Sequence, residues 1–153
     1  MSAATLSKDK AAPFGEIAEL EDIVGFHIRL AHGAVYRHFA ETFADLDLTQ
    51  KQVSALWLIA DNPGISQIEL GGRLHMDRAT TMTIVNRLQQ RDYVRRERSA
   101  SDARKQALFV TEGGVEALAQ AKTCIAEHEA WLKSRFTQAE VEKLVEMLAR
   151  IHE

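Results

Sequence analysis

The sequence predicts a mainly α fold that carries one small β-hairpin. Three observations predict it. Apolar residues recur at steps of three and four through most of the chain, three Ser/Thr-x-x-Glu/Gln pairs mark helix starts, and one basic region splits into two short strand-like runs around a polar loop.

The first helix is expected from Glu16 to about Asp45, on the spacing of Ile17, Leu20, Val24, Ile28, Ala31, Val35 and Phe39. Ile23, Phe26, Leu30, Tyr36 and Phe43 widen its apolar surface beyond what one neighbour covers. Thr49 and Gln52 have capping-box spacing and open a second helix with Val53, Leu56, Trp57, Ile59 and Ala60 on its apolar face. Asn62-Pro63-Gly64 ends it. Ser66 and Glu69 open a short helix through Ile68, Leu70 and Leu74, and Asp77 caps the next, which runs to about Gln90. Tyr93–Arg98 and Gln106–Val110 read as two strands joined through the flexible run Ser99–Ala103. Thr111 opens a helix through Val115, Leu118, Ala119, Ala121, Ile125, Trp131 and Leu132. Thr137 and Glu140 cap the last one, whose apolar positions are Val141, Leu144, Val145, Leu148 and Ile151.

Bulk composition narrows the class. With 153 residues, 46% hydrophobic and 27% charged, the chain suits one compact domain with a core of its own. Cys124, the single cysteine, has no internal disulfide partner, which points to a reducing cytoplasm. Met1–Pro13 lacks the apolar stretch of a signal peptide and reads as a loose arm, and no run of apolar residues is long enough to span a bilayer. No nucleophile elbow, phosphate loop or zinc-hydrolase motif is present, so an enzyme is not expected. The six histidines show no ligand spacing, so neither metal nor cofactor is expected.

Charge is unevenly placed. Between Ser66 and Gln106 lie nine basic residues, Arg73, Arg78, Arg87, Arg91, Arg95, Arg96, Arg98, Arg104 and Lys105, against Glu69, Asp77, Asp92, Glu97 and Asp102. That segment carries +4 in a chain whose formal net charge is −3, so the remainder carries −7. A basic module in an acidic chain suits a local polyanion contact. Charge alone also fits a solvated basic hairpin.

Order sharpens the reading. A short helix, a tight connection at His75-Met76, a second helix and a basic hairpin follow one another, as in a helix-turn-helix whose second helix enters the DNA major groove. In that second helix Thr81, Ile84, Val85 and Leu88 share one side and should pack inward. Ala79, Thr83, Asn86 and Gln90 lie opposite, flanked by Arg78 and Met82. Such small, amide and Arg side chains read base edges, although an ordinary polar surface has the same look. The hairpin favours the nucleic-acid reading: Arg95, Arg96, Arg98, Arg104 and Lys105 crowd one loop and repel one another unless an anion is near. The alternative is a hairpin whose charges protect a sheet edge.

From Leu48 to about Gly114 the sequence resembles the multiple-antibiotic-resistance regulator (MarR) family. The resemblance rests on Leu48-Thr49-Gln50-Lys51-Gln52, Leu70 to Leu74, Asp77-Arg78-Ala79-Thr80-Thr81, Asn86-Arg87-Leu88, Val94-Arg95-Arg96, Asp102-Ala103-Arg104 and Leu108-Phe109-Val110-Thr111-Glu112-Gly113-Gly114. It implies a winged helix-turn-helix over about residues 48–112. Helices of about 14–46 and 113–153 would build a triangular homodimer on a pseudo-palindromic operator. The DNA-binding set expected is Ser66, Gln67, Arg78, Ala79, Thr80, Met82, Thr83, Asn86, Arg87, Arg96, Arg98, Asp102, Arg104 and Lys105. In it Arg96 is expected at a phosphate, Arg104 matches the wing arginine that enters the minor groove, and Asp102 matches the acid that steadies the wing. Asp92 departs from the family, which often has Gly there. Asp tolerates the left-handed backbone better than most residues, at some cost.

A small-molecule pocket is also implied. Arg29, His32 and Tyr36 share a side of the first helix and suit a carboxylate or phenol, with Trp57 as an aromatic wall. Equally, His32 reads as an interface histidine and Tyr36 as a core-edge residue. The family's response to aromatic acids or their coenzyme A thioesters suggests a repressor released by such a ligand, in an aromatic catabolism operon. Two alternatives are a cysteine-based redox sensor of the same fold, for which Cys124 is poorly placed, and a protein-binding adaptor that binds no DNA.

Overall fold

A computed structural model describes residues 18–153. The elements are α1 (Ala18–Glu21), α2 (Val24–Thr42), α3 (Gln50–Asp61), β1 (Ile65–Ser66), α4 (Gln67–Arg73), α5 (Arg78–Gln90), β2 (Val94–Arg98), β3 (Gln106–Val110), α6 (Glu112–Lys133) and α7 (Gln138–His152). The chain divides into two compact units between Val35 and Tyr36. The N-terminal arm and the expected helix start at Glu16 lie outside the described residues. No helix among the described residues is long and apolar enough to cross a membrane.

The long first helix is corrected. It is interrupted at Asp22-Ile23 and stops at Thr42 rather than Asp45. Spacings of three and four survive such a break, so periodicity did not reveal it. The imidazole of His27 donates to the carbonyl oxygen of Glu21 at 2.6 Å, satisfying an acceptor that the break frees.

Residues 36–153 hold the core. Its buried members include Phe39, Phe43, Leu48, Val53, Leu56, Ile59, Leu70, Val85, Leu88, Val94, Leu108 and Leu118. Burying each of these larger aliphatic or aromatic side chains contributes about 1.5–3 kcal/mol. All three expected capping boxes form, at Thr49/Gln52, Ser66/Glu69 and Thr137/Glu140. Asp77 accepts from the Thr80 amide at 2.7 Å. Gly64, with φ +87, makes the turn after α3. Val115, expected on the packed side of α6, is instead exposed, and no residue of α7 is buried.

The hairpin is part of a three-stranded antiparallel sheet in the order β1-β3-β2. Val94 faces Val110, Arg96 faces Leu108 and Arg98 faces Gln106. The sequence did not indicate β1, whose two residues are too few for an alternating pattern. Its Ile65 pairs with Leu108 and ties the wing to the start of α4.

Two glycines permit close approaches. A Cβ on Gly71 would sit 2.6 Å from the Thr81 hydroxyl, where α4 meets α5. A Cβ on Gly114 would sit 2.1 Å from the Tyr93 carbonyl oxygen, where α6 meets the start of the wing.

Candidate nucleic-acid interface

The α4–α5 connection fixes the geometry. Leu74 ends α4, His75 turns with φ +51, and Asp77 starts α5. Thr81 is buried and donates its hydroxyl to the Asp77 carbonyl at 2.8 Å, so the helix start is held from both ends of its first turn. The inward side of α5 is Thr81, Ile84, Val85 and Leu88, as its spacing requires. Arg78, Ala79, Met82, Thr83, Asn86, Arg87 and Gln90 are exposed on the other. Thr83 donates to the Ala79 carbonyl at 3.0 Å, which leaves its oxygen free to accept. Backbone amides hold two acids below their ordinary range: Asp77 through Thr80, and Glu69 through Ser66.

The wing leaves α5 through Asp92, which takes φ +59 in place of the glycine common in the family. The Asp92 carbonyl accepts the Thr111 hydroxyl, which steadies that turn from the far end of the hairpin. At the tip, the Asp102 carboxylate accepts the Arg104 amide at 3.0 Å and its carbonyl accepts the Lys105 amide at 3.0 Å. The loop presenting Arg104 is thus ordered by Asp102 itself.

The basic residues divide into two groups. Arg91 donates to the carbonyls of Asp47 at 2.5 Å and Leu46 at 3.0 Å, pinning the α2–α3 loop to the end of α5. Arg73 bonds Asn62, Arg95 pairs with Glu97 over the Phe109 ring, and Arg96 bonds three amide side chains. The expectation of five mutually repelling charges on the hairpin is therefore corrected, because Arg95 and Arg96 have partners within the protein. Among the described residues, the side chains of Arg78, Arg87, Arg98, Arg104 and Lys105 make no hydrogen bond or ion pair. These five are available to an external polyanion.

Several expected site residues meet. Ser66, Gln67, Arg78, Arg104 and Lys105 line one groove of about 420 Å³ between α4, the start of α5 and the wing. Ser66 is occupied as a cap, and Thr80 is half-buried behind Asp77. Asn86, Gln67 and Arg96 meet in a second cluster, joined by Gln89. Gln89 was missing from the expected set. Its position three residues after Asn86 is a usable signal, but its partner Arg96 lies on a different element, β2, across the turn at Asp92.

In the first unit Arg29 lies over the Phe26 ring at 5.6 Å and His32 is exposed. In the second, Tyr36 is exposed, and Trp57 is half-buried with the Lys122 ammonium 4.6 Å from its ring centroid. The second unit also joins α2 to α6 through His38 and His128, whose Nδ1 atoms are 2.8 Å apart, with Trp131 stacked on His38 at 4.0 Å. Burial, then the neighbouring His38, holds the His128 pKa below its ordinary value. Burial likewise pushes the Cys124 thiol up, reinforced by Glu127 and Asp45, which disfavours a reactive thiolate.

A helix-turn-helix, a sheet-anchored wing and a free cationic surface define a winged helix-turn-helix DNA-binding protein. Comparison with known proteins gives the family. Residues 46–105 match the model of the MarR family. The chain is 32% identical over 130 residues to a Thauera aromatica protein named "Putative transcriptional regulatory protein for hcr operon", covering 84% of this chain and 78% of that one. The transcriptional repressor CouR bound to a 23-mer DNA duplex superposes with a TM-score of 0.88 at 31% identity, covering 92% of this chain and 99% of CouR. CouR bound to p-coumaroyl-CoA superposes with a TM-score of 0.83 at 29% identity, covering 90% and 97%. The chain belongs to the MarR family, and it is a DNA-binding transcription regulator rather than an enzyme.

Proposed function

We propose that the protein is a homodimeric repressor that binds a pseudo-palindromic operator and is released by an aromatic acid in its coenzyme A thioester form. Helix α5 enters the major groove with Arg78, Ala79, Met82, Thr83, Asn86 and Arg87 toward the DNA. Ser66, Gln67 and Thr80 flank it, while Arg96, Arg98, Asp102, Arg104 and Lys105 form the wing, with Arg104 in the minor groove. The observation that carries the DNA geometry is the set of five cations on α5 and the wing whose side chains have no partner among the described residues.

Dimerisation is assigned to the helices outside the 48–112 lobe, at about 14–46 and 113–153. Its support is the apolar surface left open on α7, where Val145 and Ile151 are 62% and 66% exposed, and on the first unit, where Val24 is 72% exposed. An obligate interface commonly buries more than about 2,000 Å². Sedimentation at micromolar concentration is expected to give a dimer; a monomer removes the basis for palindromic recognition.

The effector class is supported by the likeness to CouR bound to p-coumaroyl-CoA. Candidate contacts in the second unit are Tyr36 and Trp57; in the first unit they are Arg29 and His32. An operon of aromatic catabolism is the matching context. The test is displacement of bound duplex by p-coumaroyl-CoA, free p-coumarate and acetyl-CoA. Release by the aromatic thioester alone supports the reading. Release by none of them, or equally by acetyl-CoA, contradicts it.

A further inference from the structure

We propose that Arg96 is a specificity-determining positioning residue: it holds the amides of Asn86, Gln89 and Gln67 by their oxygens, so that this part of the surface turns its donors rather than its acceptors toward DNA. The proposal rests on the reading that α5 faces DNA.

The Arg96 Nη1 donates to Gln89 Oε1 at 2.8 Å, and its Nη2 donates to Asn86 Oδ1 at 2.7 Å and to Gln67 Oε1 at 3.2 Å. A guanidinium has donors and no acceptor, so an amide that bonds to it must face it with oxygen. The orientation therefore follows from chemistry and not from a choice between two similar atoms. Oxygen and nitrogen diverge from the amide carbon, so anchoring the oxygen turns the NH2 group away from Arg96. None of these three NH2 groups donates to another group among the described residues. Asn86 and Gln89 are exposed on α5, and Gln67 opens α4.

The guanidinium is committed inward. Arg96 is half-buried, and its Nε is buried without a partner among the described residues. One wing residue thereby links both helices of the helix-turn-helix. The consequence for base reading is direct. Asn or Gln recognises adenine by donating to N7 and accepting from the N6 amino group. An amide oxygen has two lone pairs; Arg96 occupies one and aims the oxygen toward the wing, which weakens the accepting half relative to the donating half. The remaining donors suit guanine, which offers both O6 and N7, thymine O4 and phosphate oxygens; adenine offers N7 alone beside its N6 donor and is less favoured, and cytosine, whose major-groove edge offers a donor, least.

The experiment selects duplexes from a random-core pool with the wild-type protein. It then measures affinity for every single-base variant of the selected site, at several salt concentrations. Arg96→Met, Arg96→Lys and Asn86→Asp are compared with wild type. The expected wild-type site has guanine or thymine rather than adenine or cytosine at the positions that Asn86 governs. Arg96→Met should admit adenine there, narrowing discrimination by about tenfold. Arg96→Lys should narrow it similarly, because a point ammonium keeps the charge but does not bridge three amides. Asn86→Asp keeps the bond to Arg96 and presents acceptors, so preference should move toward cytosine. Uniform loss on all duplexes in Arg96→Met, with a salt dependence shallower by one phosphate contact and recovery in Arg96→Lys, would overturn the proposal and make Arg96 a phosphate contact. Adenine at those positions in the wild-type site also overturns it. A wild-type protein that selects no sequence fails earlier, at the reading of α5 itself.

Discussion

The base of the wing and its tip both carry arginines, and the structure uses them differently. At the base, Arg91 and Arg96 are spent on protein carbonyls and amides, and Gly114 lets α6 close against Tyr93. At the tip, Arg104 and Lys105 have no side-chain partner among the described residues, and their loop is ordered by the Asp102 turn together with the Ser99 amide bonded to the Lys105 carbonyl. A count of positive charge treats the two regions as one patch. The geometry separates cations that hold the lobe together from cations left for a polyanion.

The largest effect should come from the base. In Gly114→Ala the new Cβ meets backbone, the Tyr93 carbonyl, and neither side can rotate away. Urea unfolding is expected to show a loss of about 3 kcal/mol. A change within experimental error would show that the corner is looser than its geometry.

At the tip, Arg104→Ala should weaken DNA binding by about 2 kcal/mol while leaving thermal unfolding unchanged, since the residue is exposed. Arg91→Met should do the reverse. It leaves the Asp47 and Leu46 carbonyls without their partner, costs about 2 kcal/mol of stability, and alters DNA affinity only where the fold itself fails. If both substitutions move stability and affinity together, the division between base and tip is wrong.

Asp102→Ala is a smaller test in which two effects oppose. Removing a negative charge near DNA strengthens binding by simple electrostatics. Losing the bond to the Arg104 amide loosens the loop and should weaken binding by about 1 kcal/mol. Weaker binding identifies the turn as the stronger effect; tighter binding makes Asp102 a bystander.

The smallest effect lies outside the wing. His128 has a folded-state pKa below its ordinary 6.5, so its neutral form is favoured by the fold. Stability should be full above about pH 6.5 and decline as pH drops below it, because the unfolded chain then takes up a proton that the native site resists. Thermal unfolding from pH 7.5 down to 5.5 should show this decline, and His128→Gln should flatten it. An unchanged slope in the variant assigns the decline to other groups.

Much of this was legible because it is local. Capping boxes lie within four residues, and the two faces of α5 follow from helical spacing, so Thr49, Ser66, Asp77 and Thr137 and the buried set Thr81, Ile84, Val85 and Leu88 could be read directly. The left-handed turn at Asp92 was legible from the place of one residue in a motif. What sequence did not disclose is long-range or interrupted. The bonds from Arg96 to Gln67, Asn86 and Gln89 cross between separate elements, and β1 exists only because β3 pairs with it. The break at Asp22-Ile23 left the apolar rhythm intact. Charge patterning identified the basic module, but could not tell which arginines were already engaged.

If this lobe reads DNA through α5 and an independent wing tip, fluorescence anisotropy separates the two contributions, with wild type and Arg104→Ala titrated onto the duplex selected by the wild-type protein and onto its scrambled counterpart, across a salt series. Wild type should bind the selected duplex more tightly. Arg104→Ala should show a clear loss, with the melting temperature unchanged. Equal wild-type affinity for the two duplexes, or full affinity in Arg104→Ala, would contradict that reading.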